Sequence, residues 1–489
     1  MKTSRSLACS LVALSCLSPL CVAASEAKPA SFARLGYQLD VSRNKVPTLP
    51  SVKRLVDILA RCGYNEFQLY MECAYAYKGH EEVWKGWSPY TAEDLRELAA
   101  YCRARKIDFV PNQNSFAHLG PWMDVKSYAA RLAEAPNGIT VPKVRGPVTL
   151  CATSPESYRF LDGLYGDLLP NFTSDRFNVG CDEVYDILDP KCRSAAKVRE
   201  KGYGRTYFDY VLGVLDLARR HGKTPMFWGD CILKHPELLG EVPKDAIVLN
   251  WWYDADGGRR FETTSATLAK AGVRFYVCPG TSSWQTFAGR VDNMMKNVDE
   301  AVAAGRRHGA EGLLLADWGD WGHTQPQVVS LPAIIYAAAR AQGRTMSEEE
   351  LARAIDACTG VTCGAALVRL GKLWRLGGMS DGGWNLMFAH FATPRYQVPE
   401  GFKASFTREN VARMMAEERA ALACADLSRA PEWLRDDFTV IDLLFKAFAC
   451  RFNGEDARVK AEFAPVFADC WLRQNRPNRL SVTLQNFRP

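Results

Sequence analysis

The chain has 489 residues, of which 47% are hydrophobic and 24% are charged, enough apolar material for one large domain and a smaller one. Its formal net charge of +6 is small for this length, which gives no indication of nucleic-acid binding and favours a neutral partner. After the first 24 residues no run reaches the roughly twenty uninterrupted apolar residues that a spanning helix needs, so no membrane insertion is predicted.

The first 24 residues have the composition of an export signal. Lys2 and Arg5 precede an apolar run over residues 7–20, and a triplet of small residues ends at Ala24. We therefore expect a signal peptide over residues 1–24, cleavage near Ala24, and a mature protein that is periplasmic or secreted.

The sixteen cysteines contain no Cys-x-x-Cys pair, and several of them, such as Cys181 and Cys278, lie in strand-like runs as small hydrophobic residues. Cys358 and Cys363, which flank a Gly/Thr turn, are the pair to examine for a disulfide. The seven histidines never cluster with Cys or carboxylates at ligand spacing, so no metal site is predicted.

Eight short apolar runs alternate with longer amphipathic segments, such as 51–61, 92–105 and 289–308. Runs that are apolar on both faces indicate buried parallel strands, and eight of them with crossover helices predict an α/β fold, a (β/α)8 TIM barrel over residues 31–344. A doubly wound open sheet is the competing architecture, but it usually has fewer strands and a Gly-rich phosphate turn after the first, which this chain lacks. The eight runs are 35–41, 66–72, 107–113, 176–182, 224–230, 246–252, 273–279 and 311–317.

From about Thr345 the apolar period becomes helical, which predicts a C-terminal α-helical region over residues 345–489 that packs on the barrel. No motif in this region suggests chemistry. The helical segments are 347–357, 365–376, 407–423, 433–448 and 455–473.

The C-terminal ends of the predicted strands, where TIM barrels carry their chemistry, are rich in carboxylates and tryptophan. The fourth run ends in two adjacent carboxylates, Asp182 and Glu183, a pair that by itself is more often a solvated strand end or the first turn of a helix. Carboxylates and tryptophans recur at the same end of several strands. This composition is typical of a sugar site, where aromatic faces stack on the ring and carboxylates accept hydroxyl hydrogen bonds. In chain order the ends carry Asp40 and Arg43, Glu72, His118, Asp182 and Glu183, Trp228 and Asp230, Trp251, Trp252 and Tyr253, Trp284, and Trp318 and Asp320.

Five of these segments, in this order, resemble glycoside hydrolase family 20, the β-N-acetylhexosaminidases, and the resemblance covers about residues 35–326. The matching segments are GYQLDVSR at 36–43, AH at 117–118, NVGCDE at 178–183 where the family has HxGGDE, WGD at 228–230, and WGD at 318–320.

The resemblance implies an exo-acting β-N-acetylhexosaminidase that needs no cofactor and acts on a small glycan with a terminal β-linked GlcNAc or GalNAc. Glu183 would be the general acid and base, and Asp182 would orient the 2-acetamido group, whose carbonyl oxygen attacks the anomeric carbon to form an oxazoline. Adjacent carboxylates suit this retaining, substrate-assisted mechanism. Because successive side chains of a strand point oppositely, both can face a sugar only where the strand ends and the backbone turns.

The resemblance also suggests residues that bind the sugar. Asp320 stands where the family usually has Glu to hold ring hydroxyls, and Leu35 stands where the family has Arg, with Arg34 one place earlier and on the opposite strand face unless the register shifts. Tyr253, or less well Tyr276, would replace the Tyr that bonds the acetamido carbonyl. The expected substrate-binding residues are His118, Trp228, Asp230, Trp251, Trp252, Tyr253, Trp284, Trp318, Asp320 and Arg34.

Two alternatives remain open. One is a glycosidase of another specificity on the same barrel, with Asp182 or Asp320 as a protein nucleophile. The other is a catalytically weak glycan-binding barrel, which the Leu35 replacement and the displaced Tyr suggest.

Overall fold

The computed structural model describes residues 32–140, 148–377, 385–392 and 407–488. The expected signal peptide of residues 1–24 lies outside the described residues. Within the described ranges, no helix combines the length and the apolar character that crossing a membrane requires.

Eight parallel strands form one sheet that nearly closes on itself, which confirms the predicted TIM barrel. They are β1 (Arg34–Asp40), β2 (Glu66–Tyr70), β3 (Asp108–Val110), β4 (Arg176–Asn178), β5 (Thr224–Trp228), β6 (Ile247–Trp251), β7 (Arg274–Cys278) and β8 (Gly312–Asp317). Their order in the sheet is β3-β2-β1-β8-β7-β6-β5-β4. A parallel bridge between Asn112 and Asn178 joins the two end strands, and the Gln113 amide donates to the Asn178 carbonyl at 3.0 Å.

The strands that bear the site end earlier than the apolar pattern predicts. The third and fourth runs extend to Gln113 and Asp182, whereas β3 ends at Val110 and β4 at Asn178. Pro111 follows β3 and has no N–H to continue the ladder, and beyond β4 the backbone leaves the extended conformation. Both chains therefore turn into loops at the top of the barrel.

Amphipathic helices cover the outside of the barrel and bury their apolar faces against the strands. Helix α1, for example, begins with Pro50 in its first turn and ends at Gly63, whose φ of 89° permits the left-handed C-cap. The β5–β6 connection contains 3-10 turns, 232–234 and 236–241, in place of an α-helix. The helices up to β8 and the one that follows it are α1 (Leu49–Cys62), α2 (Glu81–Trp84), α3 (Ala92–Ala104), α4 (Gly120–Met123), α5 (Lys126–Leu132), α6 (Pro155–Leu168), α7 (Ala195–Lys201), α8 (Tyr203–Arg220), α9 (Arg259–Lys270), α10 (Val291–His308) and α11 (Leu331–Ala341).

The C-terminal region is helical, as predicted, and it is bonded to the barrel. The Asp437 carboxylate accepts a hydrogen bond from the Val328 amide at 2.9 Å, and Arg476 lies 2.8 Å from the Asp94 carboxylate. The helices are α12 (Glu348–Thr359), α13 (Gly364–Leu370), α14 (Trp374–Gly377), α15 (Leu386–Ala392), α16 (Arg408–Leu422), α17 (Glu432–Phe452), α18 (Asp456–Arg458), α19 (Ala464–Gln474) and α20 (Leu480–Thr483).

The barrel interior changes in character from bottom to top. At the N-terminal ends of the strands, Arg176 forms a buried ion pair with Glu66 at 2.8 Å and donates to the Tyr276 hydroxyl at 2.7 Å. At the opposite end the interior is aromatic and opens into a cavity. The buried apolar side chains of the interior are Tyr70, Val110, Met226, Trp228, Ile247, Leu249, Tyr276, Cys278, Leu314, Ala316 and Trp318.

Candidate active site

The turn after β4 brings both carboxylates of the central stretch to one cavity. Gly180 and Cys181 each have a φ of 70°, and Glu183 has a φ of 50°, so three of four successive residues are left-handed. Such conformations are rare for residues with a side chain, and they concentrate at functional sites. A Cβ at Gly180 would lie 2.9 Å from the Cα of Asn114, so glycine is required there. The alternation of a strand is broken, and Asp182 and Glu183 line the same cavity.

The cavity has a volume of about 390 Å³ and lies at the C-terminal ends of the strands. This is within the usual size range of ligand pockets, and the position is the one that TIM-barrel enzymes use. The lining residues are Arg43, His118, Asp182, Glu183, Trp228, Trp251, Trp252, Tyr253, Asp254, Trp284, Gln285, Arg290, Trp318 and Asp320.

Asp182 is held in its charged form. His118 Nε2 lies 3.3 Å from Asp182 Oδ2, and Asn114 Nδ2 donates to Asp182 Oδ1 at 2.9 Å. Burial by itself would raise the pKa of Asp182, but the charge of His118 and these contacts outweigh burial and lower it below its usual value. Burial likewise disfavours the imidazolium, yet Asp182 raises the pKa of His118 to about 9. The two side chains therefore form an ion pair at neutral pH.

Glu183 is in the opposite electrostatic situation. Its side chain is 40% exposed, its carboxylate lies 3.5 Å from His118 Nε2, and its backbone N–H donates to Asp230 at 3.1 Å. Burial is the largest influence on its pKa, and His118 lowers it, but the charges of Asp182, Asp230 and Asp320 add to burial and raise it to about 6. Glu183 can thus hold a proton at mildly acidic pH while Asp182 remains ionised.

Aromatic side chains build one side of the cavity. The Trp251 and Tyr253 rings are stacked with centroids 5.0 Å apart, and Trp284 meets Tyr253 edge to face at 5.1 Å. Trp228, which is fully buried, packs against Trp318 with ring centroids 5.8 Å apart. Together these rings form a box with apolar faces, the kind of surface that holds a methyl group or the face of a sugar ring.

The Tyr253 hydroxyl is placed to donate a hydrogen bond into the cavity. Trp318 Nε1 donates to the Tyr253 oxygen at 2.8 Å, which occupies an acceptor position and leaves the hydroxyl proton. In the part of the chain that the structure describes, no acceptor for that proton is present. A carbonyl oxygen of a bound ligand could supply it.

Charged groups stand at another part of the cavity wall. Arg43 is paired with Glu72, and its Nε lies 3.7 Å from Asp320 and 3.9 Å from Asp40. Asp40 is fully buried and accepts the Gly319 amide at 3.0 Å, so it fixes the loop that carries Asp320. Arg43 and Asp320 together present donors and acceptors of the type that vicinal sugar hydroxyls need.

The match to a family of known enzymes agrees with this arrangement. The model for the glycosyl hydrolase family 20 catalytic domain matches residues 32–302, more than half of the chain. The chain belongs to glycosyl hydrolase family 20.

Two curated relatives are distantly similar to this chain. The beta-hexosaminidase of Akkermansia muciniphila is 24% identical over 41% of this chain and 45% of its own length, and that of Emericella nidulans is 23% identical over 44% and 39%. The chain thus spans less than half of the length of these curated relatives. The Flavobacterium johnsoniae chitobiase structure has a TM-score of 0.53 at 16% identity, over 93% of this chain and 78% of that one, which shows a shared fold.

One predicted binding residue, Arg34, does not lie at the cavity. It is the first residue of β1, about 20 Å below Asp40 at the usual rise of a strand, and its charge acts on Glu66 and Tyr276 at the bottom of the barrel. The hypothesis that Arg34 clamps sugar hydroxyls is therefore wrong. Tyr276, the weaker candidate for the acetamido contact, lies at the same distant end.

The other nine predicted binding residues lie at the top of the barrel, and eight of them line the cavity. Asp230 does not line the wall; it acts through Glu183 and through Trp251, whose Nε1 donates to it at 3.4 Å. Arg43, which is not among the predicted binding residues, also lines the cavity. Asp254, just beyond the sixth strand, and Arg290 are paired at 2.9 Å in the wall, and neither is among the predicted binding residues.

Asn178, where the family motif has His, belongs to the barrel interior. Its Nδ2 donates to Gln68 at 3.0 Å, and its Oδ1 accepts the Gly180 amide at 3.0 Å. Cys181 donates its amide to Asn114 at 3.2 Å, and its side chain is buried. The Asn178 side chain therefore supports the turn that presents Asp182 and Glu183, and the Cys181 side chain is packed inside it. Among the described residues, no cluster of three or more His, Cys, Asp or Glu side chains could hold a metal ion.

The shifted pKa values of Asp182 and Glu183 lead to a prediction for the pH dependence of activity. If Glu183 must be protonated, kcat/KM falls as pH rises through about 6, because its raised pKa is about 6. If Asp182 must be ionised, the acidic limb lies below the usual range of aspartate, because its pKa is lowered. A profile of kcat/KM against pH measures both limbs.

Replacing His118 by Asn tests the assignment of these limbs. The charge of His118 lowers the pKa of both Asp182 and Glu183, so its removal is expected to shift both limbs to higher pH. A profile that keeps both limbs in place would contradict the electrostatic role of His118.

Proposed function

We propose that this chain is an exported, exo-acting β-N-acetylhexosaminidase that hydrolyses terminal β-linked GlcNAc or GalNAc by a retaining, substrate-assisted mechanism. One observation carries the proposal: adjacent carboxylates share a cavity and have pKa values displaced in opposite directions. When the pKa values of two neighbouring groups are displaced in opposite directions, one group stays charged and the other can exchange a proton. Export is supported by the composition of residues 1–24.

In the first step the substrate provides the nucleophile. The Asp182 carboxylate accepts a hydrogen bond from the acetamido N–H, and the acetamido carbonyl oxygen forms a bond to the anomeric carbon. The glycosidic bond breaks as Glu183 gives its proton to the leaving oxygen. The positive charge that develops on the oxazoline ring is stabilised by the charge of Asp182.

In the second step water replaces the acetamido oxygen. The Glu183 carboxylate, now deprotonated, takes a proton from a water molecule whose oxygen bonds to the anomeric carbon. The bond between that carbon and the acetamido oxygen breaks, and the ring opens. Two displacements at the same carbon retain its configuration.

The remaining groups of the cavity position the sugar. The Tyr253 hydroxyl donates to the acetamido carbonyl oxygen, and the box formed by Trp228, Trp251 and Trp284 encloses the acetamido methyl group. Arg43 and Asp320 bind ring hydroxyls. Asp320 is one methylene shorter than the Glu expected from the family pattern, and its pairing with Arg43 adds donors at that position.

The relatives support the class of substrate. Those of Akkermansia muciniphila and Emericella nidulans are both named beta-hexosaminidase. The family 20 catalytic-domain model matches residues 32–302, which contain the first seven strands of the barrel.

A panel of aryl β-glycosides tests the proposed function. We expect turnover of the GlcNAc or GalNAc substrate and none of the glucoside or galactoside, because the latter lack the acetamido nucleophile. Release of single sugars from the end of a chitooligosaccharide tests exo action. Equal turnover of the glucoside indicates a glycosidase with a protein nucleophile, and calorimetric glycan binding without hydrolysis indicates a binding barrel.

A further inference from the structure

Two cysteines from distant parts of the chain meet beside the barrel. Cys62 is the last residue of α1, and Cys358 lies in the last turn of α12, in the C-terminal region. Arg61, which directly precedes Cys62, has its Nη2 3.9 Å from Cys358 Sγ, the two thiols interact electrostatically, and both cysteines are partly exposed. Gln342, which follows α11, donates to the Cys62 carbonyl at 3.0 Å and holds the end of α1 beside the segment that leads into α12.

The surroundings of Cys358 favour its thiolate. The Cys62 thiol lowers the pKa of the Cys358 thiol, and the charge of Arg61 acts in the same direction. Thiolates next to arginine are the reactive form of cysteine in proteins. Cys358 therefore has the properties of an attacking thiol, and Cys62 has those of the thiol that resolves the intermediate.

The sequence spacing suggests Cys363, and not Cys62, as the partner of Cys358, but the Cys363 thiol lies in different surroundings. Cys363 is fully buried, and its Sγ lies 3.4 Å from the Thr359 hydroxyl. Cys424 is partly exposed and has an arginine beside it, with Arg369 Nη1 3.1 Å from its Sγ, but its described contacts include no second thiol. Cys424 is thus a natural control that has exposure and a positive neighbour but no partner.

We propose that Cys62 and Cys358 form a disulfide that ties the C-terminal helical region to the barrel. The Cys358 thiolate attacks one sulfur of an external disulfide, and the other sulfur leaves as a thiol. The Cys62 thiolate then attacks Cys358 Sγ and releases the second external thiol. In total, two protein thiols lose two electrons and two protons, which reduce one external disulfide to two thiols.

The bond would close a very long loop, because it links a helix after the first strand to a helix after the last. In the chain-entropy model, a cross-link over a longer loop removes more freedom from the unfolded chain. It would also restrain separation of α12 from the barrel. Neither cysteine lines the cavity, so hydrolysis itself does not require the bond.

The test treats the folded, full-length chain with oxidised glutathione and maps peptides without reduction. We expect one cross-linked peptide pair containing Cys62 and Cys358, and Cys424 only free or bound to glutathione. The Cys62→Ser and Cys358→Ser variants should each abolish the pair, whereas Cys424→Ser should keep it. The midpoint of thermal unfolding should rise on oxidation in the wild type and in Cys424→Ser, but in neither variant of the pair.

Three results would overturn the proposal. They are separate glutathione adducts on Cys62 and Cys358 in the folded wild type, a cross-link from Cys358 to Cys363, and no reaction of either thiol. All three results are measured on the wild-type chain. A variant that folds poorly therefore does not affect the outcome. The measurement is independent of catalysis, and a failure of the proposed activity leaves it unaffected.

Discussion

The Glu183→Gln variant is expected to lose about 10² to 10⁴-fold in kcat/KM on an aryl β-GlcNAc or β-GalNAc substrate, the usual contribution of a general acid-base group. The amide keeps the size of the side chain but cannot give a proton to the leaving oxygen or take one from water. The loss should be greatest for substrates with poor leaving groups, because these depend most on the proton. Initial rates with a series of aryl leaving groups measure this dependence.

Glu200→Gln is the matched control for that variant. Glu200 is exposed on α7, away from the cavity, and the substitution makes the same chemical change. It should leave kcat/KM unchanged. Comparable rates for wild type and Glu183→Gln would end the assignment of Glu183 as the acid.

The Asp182→Asn variant is expected to lose about 10² to 10³-fold in kcat, the usual effect of removing one group that stabilises charge in a transition state. The amide can no longer supply the negative charge that faces the oxazoline, and it leaves the partly buried His118 without its counter-charge. The loss should appear with N-acetyl substrates whatever their leaving group, because the acetamido group attacks in the first step for all of them.

Asp469→Asn, on the exposed side of α19, is the corresponding control and should behave as wild type. An Asp182→Asn variant with wild-type kcat would remove Asp182 from its proposed role. The combination of a normal Glu183 effect with no Asp182 effect would favour a protein nucleophile.

The barrel could be predicted from the sequence because its strands are buried on both faces and appear as eight continuous apolar runs. The ends of the strands could not. Val179 and Cys181 are as fully buried as strand residues although β4 has already ended, so burial alone does not reveal the turn at Gly180. Hydrophobicity records which side chains avoid water, whereas the end of a strand depends on which backbone groups still pair.

The two adjacent carboxylates at the cavity could be predicted because they are contiguous in sequence, but the groups proposed to bind hydroxyls are not contiguous. Arg43 and Asp320 meet only because β1 lies beside β8 in the closed sheet. Arg34 matched a family residue by proximity in sequence, but it lies at the wrong end of its strand. The pairing of Cys62 with Cys358 could not be predicted for the same reason as that of Arg43 with Asp320. Only folding brings α1 and α12 together.

The central claim is that the substrate supplies the nucleophile, and inhibition by a thiazoline analogue of the oxazoline tests it most directly. We predict competitive inhibition of the wild type at concentrations well below the KM of the corresponding aryl substrate, and weaker inhibition of Asp182→Asn. A 2-fluoro glycoside given in parallel should leave every carboxylate of the protein unmodified. Covalent labelling of Asp182 or Asp320 by the fluorosugar, together with no inhibition by the thiazoline, would contradict the account.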